Sequence, residues 1–435
     1  MRTHSSSHIG ALTVVVAAWI AFAGCSTPAS NPEAATAAAT PQESQEPGGQ
    51  ETFGPYEVVE NWPKPLPDGD DGVTHAGWTW GSVGSVFAES PDRIWVAMRG
   101  ELPLPAKAEP WTPYALLNPS RGNATGNADG LSATCEPVAK RGWERRWHHS
   151  VFIVDRDGGL SGYWPHLEKM FAQDRCGRGP HKIKMSPYDA EKHVWIVDDQ
   201  QHVIWKFTYD GKLVLTLGTT GKRGRDAGLL FDRPTDIAWL PDGTFFISDG
   251  YGGTRVAKFD KDGKFLMDWG SAPKDIDNPG PNEWNTVHSI AISEDRRLFV
   301  VDRGHGRIQV FDENGKFLNL FYTGPRGNGE DYDSPGIASR PYTHLITADQ
   351  TLWVADGGTS RILKYDLDGH YQYGWGGPGP WPGQFAGPHG MSVDQDGNLY
   401  LAEVFNGRVV KFRPKPNADP AKVIGQELRY TASTN

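Results

Sequence analysis

The sequence predicts an all-β fold, a six-bladed β-propeller built of four-stranded antiparallel blades. Three observations lead there. Four short apolar runs separated by turn clusters recur along the chain. The acids that close the second run, Asp198, Asp249, Asp302, Asp356 and Glu403, are spaced by 51, 53, 54 and 47 residues, a period that signals radial or linear repetition. Seventeen Trp and 52 Gly in 435 residues suit many short strands joined by tight turns.

The first 25 residues read as a targeting signal. Arg2 and His4 precede an apolar run, residues 11–23, that ends in Phe22-Ala23-Gly24-Cys25. This resembles a bacterial lipoprotein signal with Cys25 as the lipid-modified first residue, with Phe22 where Leu is usual. An ordinary cleaved secretory signal is the alternative. The run is short for a membrane span. The expectation is an exported protein, lipid-anchored to a bacterial membrane and facing the periplasm or the cell surface. Residues 26–52, rich in Ala, Pro, Ser, Glu and Gln, cannot bury a core and read as a disordered tether. Export meets oxidising conditions. Cys135 and Cys176 then form either a disulfide or two unpaired thiols.

Residues 53–416 hold the propeller. A strand at 56–62 stands before the repeats. Blade one begins at 84–99, breaks for an insertion at 100–146 that is too long for a turn, and resumes at Ser150. The six blades are 84–165, 180–218, 233–270, 285–321, 340–376 and 386–414. Blade four is the clearest. Its runs 288–292, 298–301, 307–311 and 317–321 are joined by turn clusters that include the hairpin signal Asn314-Gly315. Blade six lacks a fourth strand, because the chain turns Pro- and Lys-rich from Lys415. The strand at 56–62 can supply it and close the ring without a free edge. Residues 417–435 read as a polar, peripheral tail.

A net charge of −10 excludes nucleic acid as a partner. The partners expected are a small-molecule or peptide substrate with a carboxylate and the lipid anchor's membrane, with the chain itself a monomer.

In a propeller the first strand of each blade lines the central channel. The position 14 residues before the second-strand acid is His288 in blade four and His389 in blade six (302 − 288 and 403 − 389). Blade two opens Gly179-Pro180-His181, like Gly387-Pro388-His389. Blades three and five carry Thr235 and Tyr342 there. Alternate blades lie about 120° apart, so three imidazoles converge on the axis. Three neutral nitrogens and an open coordination position suit a catalytic Zn²⁺. A lone histidine is usually structural; three in one register on alternate blades point to a metal. His344, two residues past the register, is a channel-lining residue or a fourth participant.

Arg99 and Arg303 end second strands at one register on opposite blades, and blade three offers Tyr251 there. Two guanidiniums suit a carboxylate, and a tyrosine beside a metal can serve as a general base. Alternatively the arginines pair with neighbouring acids and the tyrosine caps the channel. Arg255, Arg307, Arg361 and Arg408 open third strands and are assigned to the scaffold, pairing with Asp249, Asp302, Asp356 and Glu403.

These residues resemble the NHL-repeat family, and within it the lyase domain that cleaves peptidyl-α-hydroxyglycine in peptide C-terminal amidation. The resemblance spans 56–414. Pro234-Thr235-Asp236-Ile237, Ile247-Ser248-Asp249-Gly250-Tyr251 and Val287-His288-Ser289 carry it, with Val301-Asp302-Arg303, Gly306-Arg307-Ile308-Gln309, Pro180-His181 and Pro388-His389. It implies zinc on His181, His288 and His389, Tyr251 as a catalytic residue, Arg99 as the substrate-carboxylate arginine and Arg303 as a second functional arginine. It also implies a structural Ca²⁺ held largely by backbone carbonyls, with Val86 and Ile183 at two such positions. Two positions depart from the family: Gly387 stands in place of a methionine and Gly390 in place of an aspartate.

The function expected is a zinc-dependent lyase that breaks the N–C bond of a peptidyl-α-hydroxyglycine-like carbinolamide. The alternative is a non-catalytic cell-surface NHL propeller acting as a binding scaffold. A calcium-dependent hydrolase or lactonase ranks last, since it needs Asp, Glu and Asn where this chain has His, Thr and Tyr.

Overall fold

Strand chemistry and turn chemistry agree along the repeats, and the chain forms the blades they call for. The computed structural model describes residues 54–68, 72, 74–76, 78–103, 147–171, 179–226, 229–324, 339–379 and 383–428. The signal with Cys25, the tether, Cys135, Cys176 and residues 104–146 of the insertion lie outside the described residues.

Six four-stranded antiparallel sheets make the ring. Blade four is typical: Val287–Ile292, Leu298–Asp302, Arg307–Phe311 and Phe317–Tyr322 pair in sequence order. Blade one uses Val83–Ser90, Arg93–Met98, Val151–Val154 and Leu160–Tyr163, so the insertion leaves between its second and third strands. The ring closes as expected. Tyr56–Val58 pairs with Arg408–Pro414, Tyr56 opposite Pro414 and Val58 opposite Phe412. This strand is shorter than the 56–62 read from the sequence, because Asn61 turns away at φ 57°.

Burial explains the sequence pattern. Second strands such as Phe245–Asp249 are buried along their whole length, since a neighbouring blade covers each face. Fourth strands such as Leu213–Gly218 reach solvent and tolerate polar residues. Apolar clusters fill the gaps between blades. Phe246, Trp269, Trp284, Ile290 and Phe311 pack between blades three and four, and Trp353, Trp375, Met391 and Phe412 between five and six. Truncating a fully buried Trp such as Trp353 costs ~3–5 kcal/mol.

The repeated arginines pair with second-strand acids in three blades. Arg255 Nε donates to Asp249, Arg307 Nε to Asp302 and Arg408 Nε to Glu403, each at 2.9 Å. Blade five departs from the expectation. Asp356 accepts instead from Ser339 Oγ and from the N–H groups of Arg340, Gly358 and Thr359, so Arg361 makes no such pair. The C-terminal tail is not wholly peripheral either. Ile424 is buried and donates its N–H to Tyr56 Oη at 2.8 Å, and Leu428 donates to Ile346 O at 2.9 Å.

Candidate functional site

In five of the six blades the register that carries the histidines is a β-bulge; blade two, with His181, has none. In blades three, five and six the first strand skips one residue in pairing with the second: Thr235, Tyr342 and His389 have no partner, while their neighbours do. Gly84 does the same in blade one, and blade four skips His288 and Ser289. A bulge re-aims the side chain or carbonyl at that place. Here it turns both toward the channel axis.

His181, His288 and His389 meet there. One ligating nitrogen from each lies within 4.8 Å of the others, and all three are buried. Their ring centroids are 4.7–5.1 Å apart. Each Nδ1 is held by a backbone carbonyl of the following blade: His181 by Thr235 O at 2.7 Å, His288 by Tyr342 O, and His389 by Gly84 O at 2.7 Å. A carbonyl only accepts, so each Nδ1 carries the proton and each Nε2 presents a lone pair to the axis. Blades two, four and six thus supply imidazoles, and blades three, five and one orient them. Burial, then neighbouring charge, holds all three well below the usual imidazole pKa, so the rings stay neutral. Arg99 contributes at His181 and His389, and Arg303 at His288.

This arrangement fits a three-coordinate zinc site with an open position. Ring N–H groups fixed by carbonyls are the supporting contacts such a site uses. Nε2 of His389 is buried with no hydrogen-bond partner among the described residues, aimed where an ion would sit. Replacing the ion with water alone would leave three acceptors pointed at one small volume.

Tyr251 stands over the trio. Its Oη is 2.9 Å from His288 Nε2 and 3.2 Å from His181 Nε2, and Arg303 Nη1 donates to it at 3.2 Å. Arg233 and Arg303 lie 4.5 and 4.8 Å from the ring centroid. Arg233 is held in turn by Asp199. Arg99 is 1 % exposed, and its Nε and Nη2 make no hydrogen bond among the described residues. Among the described residues the nearest acid, Asp199, is 3.9 Å away, too far to satisfy it. A buried guanidinium with idle donors suits an incoming carboxylate.

His344 is not part of the cluster. Nδ1 bonds Ser289 Oγ at 3.1 Å and Nε2 bonds Phe299 O at 3.0 Å, so both nitrogens are used as a channel-lining residue would use them. The place where the family carries a methionine is shut. Gly387 has φ 65°, and an added Cβ would lie 2.5 Å from Phe405.

Val86 and Ile183 share a cavity with Lys182, Thr343, Ser392 and Glu427. Its residues do not fit calcium. The buried Lys182 ammonium lies 3.2 Å from Thr343 Oγ1 and 3.7 Å from Asp236. Lys184 pairs with the same carboxylate at 2.8 Å. The Lys182 and Lys184 ammonium groups already balance Asp236 and Glu427, which leaves no net negative charge to hold a dication. No carboxylate can enter at position 390, where a Cβ would lie 2.9 Å from Ser85 Cα and Val86 N.

Sequence reasoning did not single out Arg233, Asp199 or Lys182. It also missed His75, His148 and His149, although a His-His pair at the end of the insertion was there to be read.

An NHL repeat model matches residues 385–412. Peptidyl-alpha-hydroxyglycine alpha-amidating lyase 1 of Drosophila melanogaster is 29% identical over 260 residues, 55% of this chain and 46% of that protein. Lyase 2 of the same species is 26% identical over 323 residues, 70% of this chain and 75% of that protein. Peptidyl-glycine alpha-amidating monooxygenase B of Xenopus laevis is 28% identical, with 59% of this chain matched to 28% of that protein. The match thus spans less than half the length of the first and the last of these. A streptogramin B lyase structure superposes with a TM-score of 0.43 at 13% identity, over 77% of this chain and 94% of that one. Repeat match, blade count and sequence relatives together make this chain an NHL-repeat six-bladed β-propeller homologous to the peptidyl-α-hydroxyglycine α-amidating lyases.

Proposed function

We propose that this protein is a zinc-dependent lyase that cleaves the N–C bond of an N-acyl-α-hydroxyglycine, releasing an amide and glyoxylate. One observation carries the reading: three Nε2 lone pairs aimed at one point with the Tyr251 hydroxyl 2.9 and 3.2 Å from two of them. The homology to amidating lyases supports it.

A zinc ion on His181, His288 and His389 would supply Lewis acidity to an oxygen of the substrate. The rest falls to the chain's own groups. Arg99 takes the substrate carboxylate with its idle Nε and Nη2 donors and fixes the α-carbon near the axis. Tyr251 Oη removes the proton of the α-hydroxyl. The C–O bond becomes C=O, the C–N bond breaks, and its electron pair goes to the amide nitrogen. That nitrogen needs one proton, and Tyr251 holds the one just removed, so the step balances with no further reactant. Arg303, 3.2 Å from Oη, stabilises negative charge on the phenol oxygen. Export, a lipid anchor at Cys25 and action as a monomer belong to the same proposal.

The test is direct. Purified protein with added zinc is incubated with an N-acyl-α-hydroxyglycine and glyoxylate is assayed. Release that is abolished in His288→Ala supports the lyase. Release no faster than the variant's removes this substrate class and leaves the binding-scaffold reading.

A further inference from the structure

We infer that the chain holds a second transition-metal ion, on His75, His148 and His149. These are the other group of three among the described residues whose ligating nitrogens lie within 4.8 Å of one another. A tetrahedral zinc with bonds of ~2.0–2.1 Å asks for nitrogens about 3.3 Å apart, so the rings, whose nitrogens lie within 4.8 Å here, would draw together on an ion and leave a fourth position open.

The fold brings the three together by design of the backbone. Trp78–Thr79 pairs with Leu102–Pro103, which sets the turn at His75 beside Glu101. Met98 N–H bonds Ser150 O at 2.9 Å, which sets His148 and His149 beside the end of the strand Arg93–Met98, three residues before Glu101. The rings pack at centroid distances of 5.0, 4.9 and 4.3 Å.

Two further observations point to an ion rather than to packing. First, Glu101 is 1 % exposed and its Oε1 lies 2.6 Å from His75 Nδ1. A buried carboxylate behind a histidine is the contact that fixes the tautomer of a metal ligand and raises its basicity, so Nε2 is the nitrogen that would face the ion. Second, His149 sits at φ 54°, in the left-handed region that a side chain occupies at a cost. Its N–H is pinned there by Glu168 Oε1 at 2.8 Å. The backbone is bent to place this ring. Three imidazole donors with a carboxylate behind them suit Zn²⁺ or another nitrogen-preferring divalent ion, and do not suit Ca²⁺ or Mg²⁺.

Glu101 and His148 stand on either side of the insertion in sequence, and Glu101 is two residues beyond Arg99. An ion here would staple the segment around His75 to both ends of the insertion, next to the strand end that carries Arg99.

The experiment titrates the metal-stripped full chain with Co²⁺ and follows the visible absorption to saturation. The wild type should take up two equivalents. His148→Ala should take up one, since His148 is half-buried and outside the left-handed region, so its loss disturbs packing least. Glu101→Gln keeps the shape of the pair, and should weaken one equivalent ~10- to 100-fold while the other is unchanged. This second variant keeps the test open if the first does not fold. A wild type that binds one equivalent, retained in His148→Ala and lost in His288→Ala, would overturn the second site. One equivalent lost in His148→Ala and retained in His288→Ala would uphold it and refute the axial one.

Discussion

Replacing Tyr251 with Phe separates the hydroxyl from everything else the residue does. The ring stays in place, still packed edge-on against His181 and His288 and still flanked by Arg233 and Arg303. Lost are the contacts of Oη with His288 Nε2 at 2.9 Å, His181 Nε2 at 3.2 Å and Arg303 Nη1 at 3.2 Å. Without metal the change exposes two buried ring nitrogens and one guanidinium N–H to the loss of a partner, about 1–3 kcal/mol of stability. With zinc bound the nitrogens have another partner and that cost shrinks. In the proposed lyase reaction this hydroxyl is the group assigned to take the α-hydroxyl proton. A positioned general base contributes ~10²- to 10⁴-fold, about 3–5 kcal/mol of barrier. Steady-state glyoxylate release from an N-acyl-α-hydroxyglycine should therefore show kcat lower by that factor, with KM and zinc content close to wild type. A variant within a few-fold of wild-type kcat would refute the role of Tyr251. A parallel loss of zinc would show that the hydroxyl supports the metal site instead.

Three other outcomes follow from the geometry. Arg99→Met should lower kcat/KM by ~10- to 100-fold through KM, the value of a charge-assisted pair to a carboxylate, and should not affect an inhibitor that lacks the carboxylate; equal losses for both would point to misfolding. Burial brings Lys182 down to about 8 from 10.5. Between those values the native state has shed a proton that the unfolded chain still holds, so raising pH through about 8 to 10.5 should raise Tm in the wild type more than in Lys182→Met. Equal pH profiles would contradict it. Millimolar Ca²⁺ added to dialysed protein should leave Tm unchanged; a saturable rise would mean that the cavity of Val86 and Ile183 takes the ion after all.

Much of this was legible in the sequence because strand periodicity, turn residues and a fixed repeat all specify one architecture. The histidine register was readable for a further reason: a bulge at one place in five of the six first strands keeps the offset to the second-strand acid constant, as at His288 and His389, while blade two, with His181, lacks it. What the bulge does to the backbone was not readable. The carbonyls of Gly84, Thr235 and Tyr342 that hold the imidazoles belong to residues of three unrelated types, and any residue has a carbonyl. Arg361 copies the position of Arg255 and Arg307, yet Ser339 and three backbone N–H groups reach Asp356 first. His75 and His148 are far apart in sequence and follow no repeat, so only the fold makes them neighbours. The aspartate missing at Gly390 was visible as a departure. The lysine ammonium in the channel in place of a divalent ion was not, because Lys182 reads like any charged residue on a strand.

A metal on the axis has a location as well as a stoichiometry. Crystals of the full chain grown with zinc, measured at the zinc absorption edge, should give an anomalous difference peak equidistant from Nε2 of His181, His288 and His389. No peak there at full zinc loading, with the three rings ordered as described, would contradict the account whatever else the protein binds.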